Sequence, residues 1–220
     1  MRPDNRTPNP LSEVGFFIHA ALHVVKRAFV SATESFNEFF SVDPEMRLRY
    51  YLQRGVDFTR RGRYDVAAAM LEKVLLEWPA DDDALFHLGF CYLKMDRTEE
   101  GIELLERADA LGCGGVRVQS ILGMAFLQTK EYAKAVGVLG RALAADPQNF
   151  HLNYRMALAL DNSEQYEQAV TYFKKAIMIR PEESKVYRSL GFTLEQMGLH
   201  EESVVQFKKA ASFEEGRAAF

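Results

Sequence analysis

The chain has 220 residues, 48 % of them apolar and 12 % aromatic, with 27 Lys and Arg against 31 Asp and Glu. That is enough apolar material for a buried core, and the net charge of −4 argues against nonspecific nucleic-acid binding. The two cysteines, Cys91 and Cys113, lack metal-ligand spacing and fit free thiols in a reducing compartment.

Residues 1–10 are polar and proline-rich, carry no secretory pattern, and read as a disordered tail. Residues 11–43 read as a degenerate helical hairpin. Val14, Ile18, Ala21, Leu22, Val25 and Phe29 follow helical spacing behind Ser12 as N-cap, and a second helix is expected over Ser31 to Ser41. That second helix sets Glu34 and Glu38 on one face and Phe36, Phe39 and Phe40 on the other. It is the candidate self-assembly segment. Packed in cis it caps its own molecule; inserted in trans it offers each molecule a handle on the next. The apolar run Val14–Val25 is too short to cross a bilayer, although Phe16, Phe17, Ile18 and Lys26-Arg27 would suit a surface anchor.

From residue 44 onward the chain repeats itself. Gly55, Gly89, Gly123, Ala157 and Gly191 recur every 34 positions, which divides the chain into repeats 48–81, 82–115, 116–149, 150–183 and 184–217. Position 20 of each repeat is always small (Ala67, Gly101, Ala135, Ala169, Ser203), and position 24 is always large (Leu71, Leu105, Leu139, Phe173, Phe207). Small residues let two antiparallel helices cross closely, and large ones fill the space beside the crossing. Pro79, Pro147 and Pro181 end three repeats, while Tyr64, Tyr132 and Tyr166 mark three turns between helices. The first repeat departs from the pattern at Arg54, and the second has Cys113 where proline is expected. Gly112, Gly114 and Gly115 at that junction read as a hinge between an N-terminal half, 44–115, and a C-terminal half, 116–217.

At 100° per residue, positions 2, 6, 9 and 13 of each first helix point away from its partner, onto the inner wall of a curved stack. Position 9 is apolar throughout: Val56, Phe90, Met124, Leu158 and Phe192. The other three positions supply Arg49, Arg60, Lys94, Arg117, Arg155 and Lys185 against a single acid, Asp83; Arg188 flanks them, and Asp161 and Glu195 oppose. Setting those six bases and one acid aside from 27 and 31 leaves 21 and 30 elsewhere. The expected groove is a basic strip with an apolar spine on an otherwise acidic molecule, suited to an amphipathic segment bearing carboxylates.

Enzymatic chemistry finds no constellation to carry it. His19 and His23 lack a third metal ligand, Gly112–Gly115 lacks the Lys-Ser/Thr of a phosphate loop, and no nucleophile elbow occurs. No cofactor, small-molecule substrate, nucleic acid or metal is expected, and the chain reads as a non-enzyme.

The 34-residue pattern resembles the tetratricopeptide repeat, which implies an all-α, right-handed superhelical solenoid of five clear repeats plus the degenerate N-terminal hairpin. The inner positions lack the asparagine and lysine of carboxylate-clamp co-chaperones of that class. Arg49-Tyr50-Tyr51-Leu52-Gln53-Arg54-Gly55, Gly62-Arg63-Tyr64, Met70-Leu71-Glu72, Ala157-Leu158-Ala159-Leu160-Asp161-Asn162 and Arg180-Pro181-Glu182-Glu183-Ser184-Lys185-Val186-Tyr187-Arg188 are similar to the MamA family of magnetosome-associated proteins. So are Glu195-Gln196-Met197-Gly198 and Phe207-Lys208-Lys209-Ala210. The resemblance implies a hook-shaped cytoplasmic scaffold that self-assembles into a large homo-oligomer. It would coat the cytoplasmic face of the magnetosome membrane through protein partners and recruit other magnetosome proteins in organelle formation or activation. A monomeric cytosolic chaperone gripping a client peptide in the same groove is the alternative.

Overall fold

The computed structural model describes residues 24–26, 43–112 and 115–218, and the described residues contain helices and no strand. Contacts divide the chain into a segment through Arg47 and a body, Leu48–Phe220. In the first, Val24–Lys26 are helical, with Val24 and Val25 exposed, and the Asp43 carboxylate accepts from the Glu45 N–H at 3.1 Å as a helix cap.

Ten helices run from there: α1 (Pro44–Arg60), α2 (Tyr64–Glu77), α3 (Asp82–Lys94), α4 (Thr98–Ala110), α5 (Gly115–Gln128), α6 (Tyr132–Ala145), α7 (Phe150–Asn162), α8 (Tyr166–Ile179), α9 (Ser184–Gln196) and α10 (His200–Ala218). Odd helices open each hairpin and even helices close it.

The five hairpin turns share one design. Repeat position 15 is left-handed in all of them: Gly62, Asp96, Lys130, Glu164 and Gly198, with φ between 60° and 75°. The next N–H then reaches back to the carbonyl at position 11, as in Arg63 to Phe58 at 3.0 Å, Glu131 to Phe126 at 2.8 Å and Leu199 to Leu194 at 2.9 Å. This closure satisfies carbonyls that the ending helix would leave bare. Three of the five left-handed residues are not glycine, so the turn is held by tertiary packing as well as by local preference.

Inside each hairpin the small and large columns meet. A Cβ added to Gly55, Gly123 or Gly191 would lie 2.5–2.7 Å from the side chain of Leu71, Leu139 or Phe207. In the second hairpin two glycines face each other: Gly89 and Gly101 each approach the other's carbonyl oxygen so closely that a Cβ would sit at 2.9–3.0 Å. Ala67, Ala135 and Ala169, together with Val74, Ala108, Ala142 and Ala176, are wholly buried in the same seam.

Each even helix packs on its own partner and on the next odd helix. Among the odd helices, α3 touches α5, α5 touches α7 and α7 touches α9, whereas among the described residues no two even helices touch. The odd row is therefore the crowded, inner side of the bend in the Leu48–Phe220 body. In the last described helix, α10, Val204 is 48 % exposed, while Ala68 and Ile102 at the same repeat position are buried.

At the expected hinge, Gly112 and Gly115 take φ of 73° and 44°, which favours glycine at both places; Gly114 lies outside the described residues. Across this junction the Asp109 carboxylate accepts from the Gln119 amide at 3.1 Å and pairs with Arg141. Any bending there has to release these ties.

Candidate functional site

The apolar column of position 9 runs along the odd row. Val56, Phe90, Met124 and Leu158 are half-buried, and Phe192 is 57 % exposed beside the Phe207 ring, 5.1 Å between centroids. A spine partly open to water at each step retains apolar surface for a ligand to cover.

Three of the flanking cations lie against aromatic rings. The Arg117 guanidinium lies 4.0 Å from the centre of the Phe86 ring and 3.8 Å from the Asp83 carboxylate. Lys94 sits 5.4 Å from the Phe90 ring, and Lys185 is 5.4 Å from both the Phe150 and Tyr154 rings and 3.9 Å from Glu183. Arg60 reaches Asp57 at 4.0 Å. Cations held over aromatic faces keep their charge directed outward at small entropic cost. Arg49 is exposed on α1.

Arg155 differs from this pattern. It is half-buried and spans two inner helices, donating from α7 to the Ser120 carbonyl at 2.9 Å and the Ser120 hydroxyl at 2.6 Å on α5, with Met124 Sδ at 3.7 Å. Burial lowers its pKa from the usual arginine value. This residue ties the wall together as well as charging it. Arg188 pairs with Glu214 on the long last helix, where Phe213 also packs against Tyr187.

Acidic groups gather at the other end of the row. Asp161 is half-buried, its Oδ1 has no partner, and burial raises its pKa against the opposing effect of the Thr193 hydroxyl. Glu195 holds His200 at 2.7 Å. The inner row thus carries cations on every odd helix, with Asp161 and Glu195 set beside Arg155 and Lys185 on α7 and α9.

Two histidines on the row escape the charge count. His87 is 8 % exposed with Nδ1 sealed and unpartnered, and its pKa is lowered by burial first and by Arg117 second. His151 is lowered too, by burial and then by Arg180, Arg155 and Lys185. Repeat position was the available signal, since His87 holds position 6 and His151 position 2. In α1, Arg54 replaces a buried Leu or Met of the other repeats; its guanidinium stands 5.1 Å from the Phe58 ring with Nε unpartnered. Glu34, Phe36, Glu38, Phe39 and Phe40 lie outside the described residues. Among the described residues no helix is long and apolar enough to cross a membrane, and no group of three His, Cys, Asp or Glu is placed to hold a metal.

A tetratricopeptide-repeat family profile matches residues 58–120 and 126–190. The magnetosome protein MamA of Magnetospirillum gryphiswaldense is 36 % identical over 85 residues, 39 % of either chain. MamA of Paramagnetospirillum magneticum is 38 % identical over 79 residues, 36 % of either chain. The aligned stretches thus span less than two fifths of these curated relatives' length. Solved structures agree over more of the chain. MamA from strain AMB-1 superposes with a TM-score of 0.72 at 39 % identity, covering 78 % of this chain and 94 % of that one. MamA from strain MSR-1 gives 0.74 at 37 % identity, covering 78 % and 99 %.

Proposed function

The chain belongs to the MamA family of tetratricopeptide-repeat proteins, and from that premise we propose that it is a non-enzymatic interaction scaffold of the magnetosome. The inner odd-helix row is its binding surface. The observation that carries this reading is the set of cations anchored on rings, Arg117 on Phe86 and Lys185 on Phe150 and Tyr154, beside a half-exposed apolar spine. Aromatic anchoring fixes the cations before a ligand arrives, so an acidic, aromatic segment meets a surface already in shape.

The segment of matching chemistry within this sequence is Glu34, Phe36, Glu38, Phe39 and Phe40. Seated in the groove of a second copy, it makes a heterologous contact, and such contacts propagate into large assemblies unless rotation closes them. The assembly coats the cytoplasmic face of the magnetosome membrane through protein partners, and unfilled grooves recruit further magnetosome proteins.

The test is solution mass across a concentration series for the intact chain and for one beginning at Asp43. The intact chain is expected to form large, concentration-dependent assemblies, and the shortened chain to be monomeric. Assembly of the shortened chain would overturn the segment-in-groove contact. A monomeric intact chain at every concentration would favour a client-binding role for the groove.

A further inference from the structure

Three successive inner helices each carry a basic side chain, and the charges of the outer two act on the middle one. Arg60 ends α1 at repeat position 13, His87 lies in α3 at position 6, and Arg117 lies in α5 at position 2. The middle member is the unusual one. His87 is 8 % exposed, its ring is packed edge-on against Phe86 at 5.0 Å, and its Nδ1 is sealed with no hydrogen-bond partner. A buried polar nitrogen without a partner costs free energy.

The charged groups acting on the imidazole are Arg117 from α5, Asp83 from its own helix and Arg60 from α1. The carboxylates now beside the two arginines are loosely held: Asp83 is 3.8 Å from Arg117 and Asp57 is 4.0 Å from Arg60, all on exposed or half-exposed side chains. Exposed pairs at such distances contribute little and are readily exchanged for a better-placed anion. Arg117 meanwhile stays fixed on the Phe86 face at 4.0 Å, whichever carboxylate it faces.

We infer that Arg60, His87 and Arg117 form a carboxylate subsite for a glutamate of an acidic, aromatic peptide, with the imidazole taking a proton from solvent as the carboxylate enters. The inference rests on the groove-binding reading above and adds the subsite and its proton linkage. Without ligand, burial first and then the neighbouring cations favour the neutral imidazole, against the smaller opposing effect of Asp83. A bound carboxylate beside the two arginines supplies the missing negative charge. Protonation then favours binding, so affinity rises as pH falls toward 6. For one proton the limit is about tenfold per pH unit.

The experiment titrates a synthetic peptide of residues 31–41 into the intact protein between about pH 6 and 8, above the range in which the peptide's own carboxylates titrate. Wild type, His87→Gln and Arg117→Gln are compared, with helix content checked by circular dichroism. The His87 ring pKa is read by NMR with and without peptide. Wild type is expected to bind more tightly at low pH, with its ring pKa raised by the peptide. His87→Gln is expected to bind with a flat pH profile, and Arg117→Gln, whose side chain is exposed apart from its contact with the Phe86 ring, to bind about tenfold more weakly. Peptide binding in which either variant matches wild type, or in which the ring pKa does not rise, overturns the subsite and leaves the groove reading standing. No peptide binding at any pH overturns both.

Discussion

Gly123→Ala tests whether the close crossing of α5 and α6 sets the hairpin geometry. The new methyl would lie 2.5 Å from both Cγ and Cδ2 of Leu139, about 1 Å inside ordinary carbon contact. Leu139 is completely buried, so it has no open space to turn into. Overpacking of a core costs about 1–3 kcal/mol, and a double overlap with a sealed side chain belongs near the top of that range. Against it stands the better helix propensity of alanine, about 1 kcal/mol. The net expectation is a loss of about 2 kcal/mol. Gly137→Ala supplies the control in the adjoining helix: it is exposed, its added methyl meets nothing within 4 Å, and it should gain the propensity term of about 1 kcal/mol. The two substitutions are chemically identical, so their difference of about 3 kcal/mol isolates the contact. Urea denaturation followed by circular dichroism reads the midpoints, and amide exchange in α5 and α6 localises the change should the array unfold in parts. A Gly123→Ala protein as stable as wild type would refute the close approach as the controlling contact.

Three further expectations follow from the same geometry. Arg155→Met should leave stability within about 1 kcal/mol of wild type while weakening acidic-peptide binding, because an apolar stem replaces a partly desolvated charge; a large stability loss in urea titration would show that the tie to Ser120 dominates. Gly112→Ala should cost about 1–2 kcal/mol in the same assay, since φ is 73° there and the added methyl meets nothing; no loss would mean the turn re-forms right-handed. At alkaline pH the Tyr92 hydroxyl, bonded to Glu72 at 2.7 Å, has its pKa pushed up to about 12 by burial and then by that bond. Its ordinary value is 10.0, so its stabilising contribution is complete below about pH 10 and is lost as pH climbs toward 12. Tyr92→Phe should flatten that limb in urea midpoints measured from about pH 8 to 11, and an unchanged slope would refute the assignment.

The helical hairpins were legible because their information is periodic and local. A small residue at position 8 and a large one at position 24 can serve only a close crossing, and Gly55 against Leu71 and Gly123 against Leu139 meet in that way. The position-9 column was readable for the same reason, since the turn angle of a helix fixes which residues share a face. The turns were less so: Asp96, Lys130 and Glu164 carry no local mark of a left-handed residue, and only alignment with Gly62 and Gly198 reveals the column.

What the sequence by itself determined was the period, the helical class and the list of charges bound for the inner row. The tertiary structure decided what each charge does. Arg155 ties two helices together, Arg117 lies on Phe86, Arg188 goes to Glu214, and His87 is sealed beside Phe86 in the field of arginines from neighbouring repeats. Periodicity constrains the direction of a side chain from its own helix axis. Its partners come from residues roughly 30 positions away, and their distance depends on how one hairpin leans on the next.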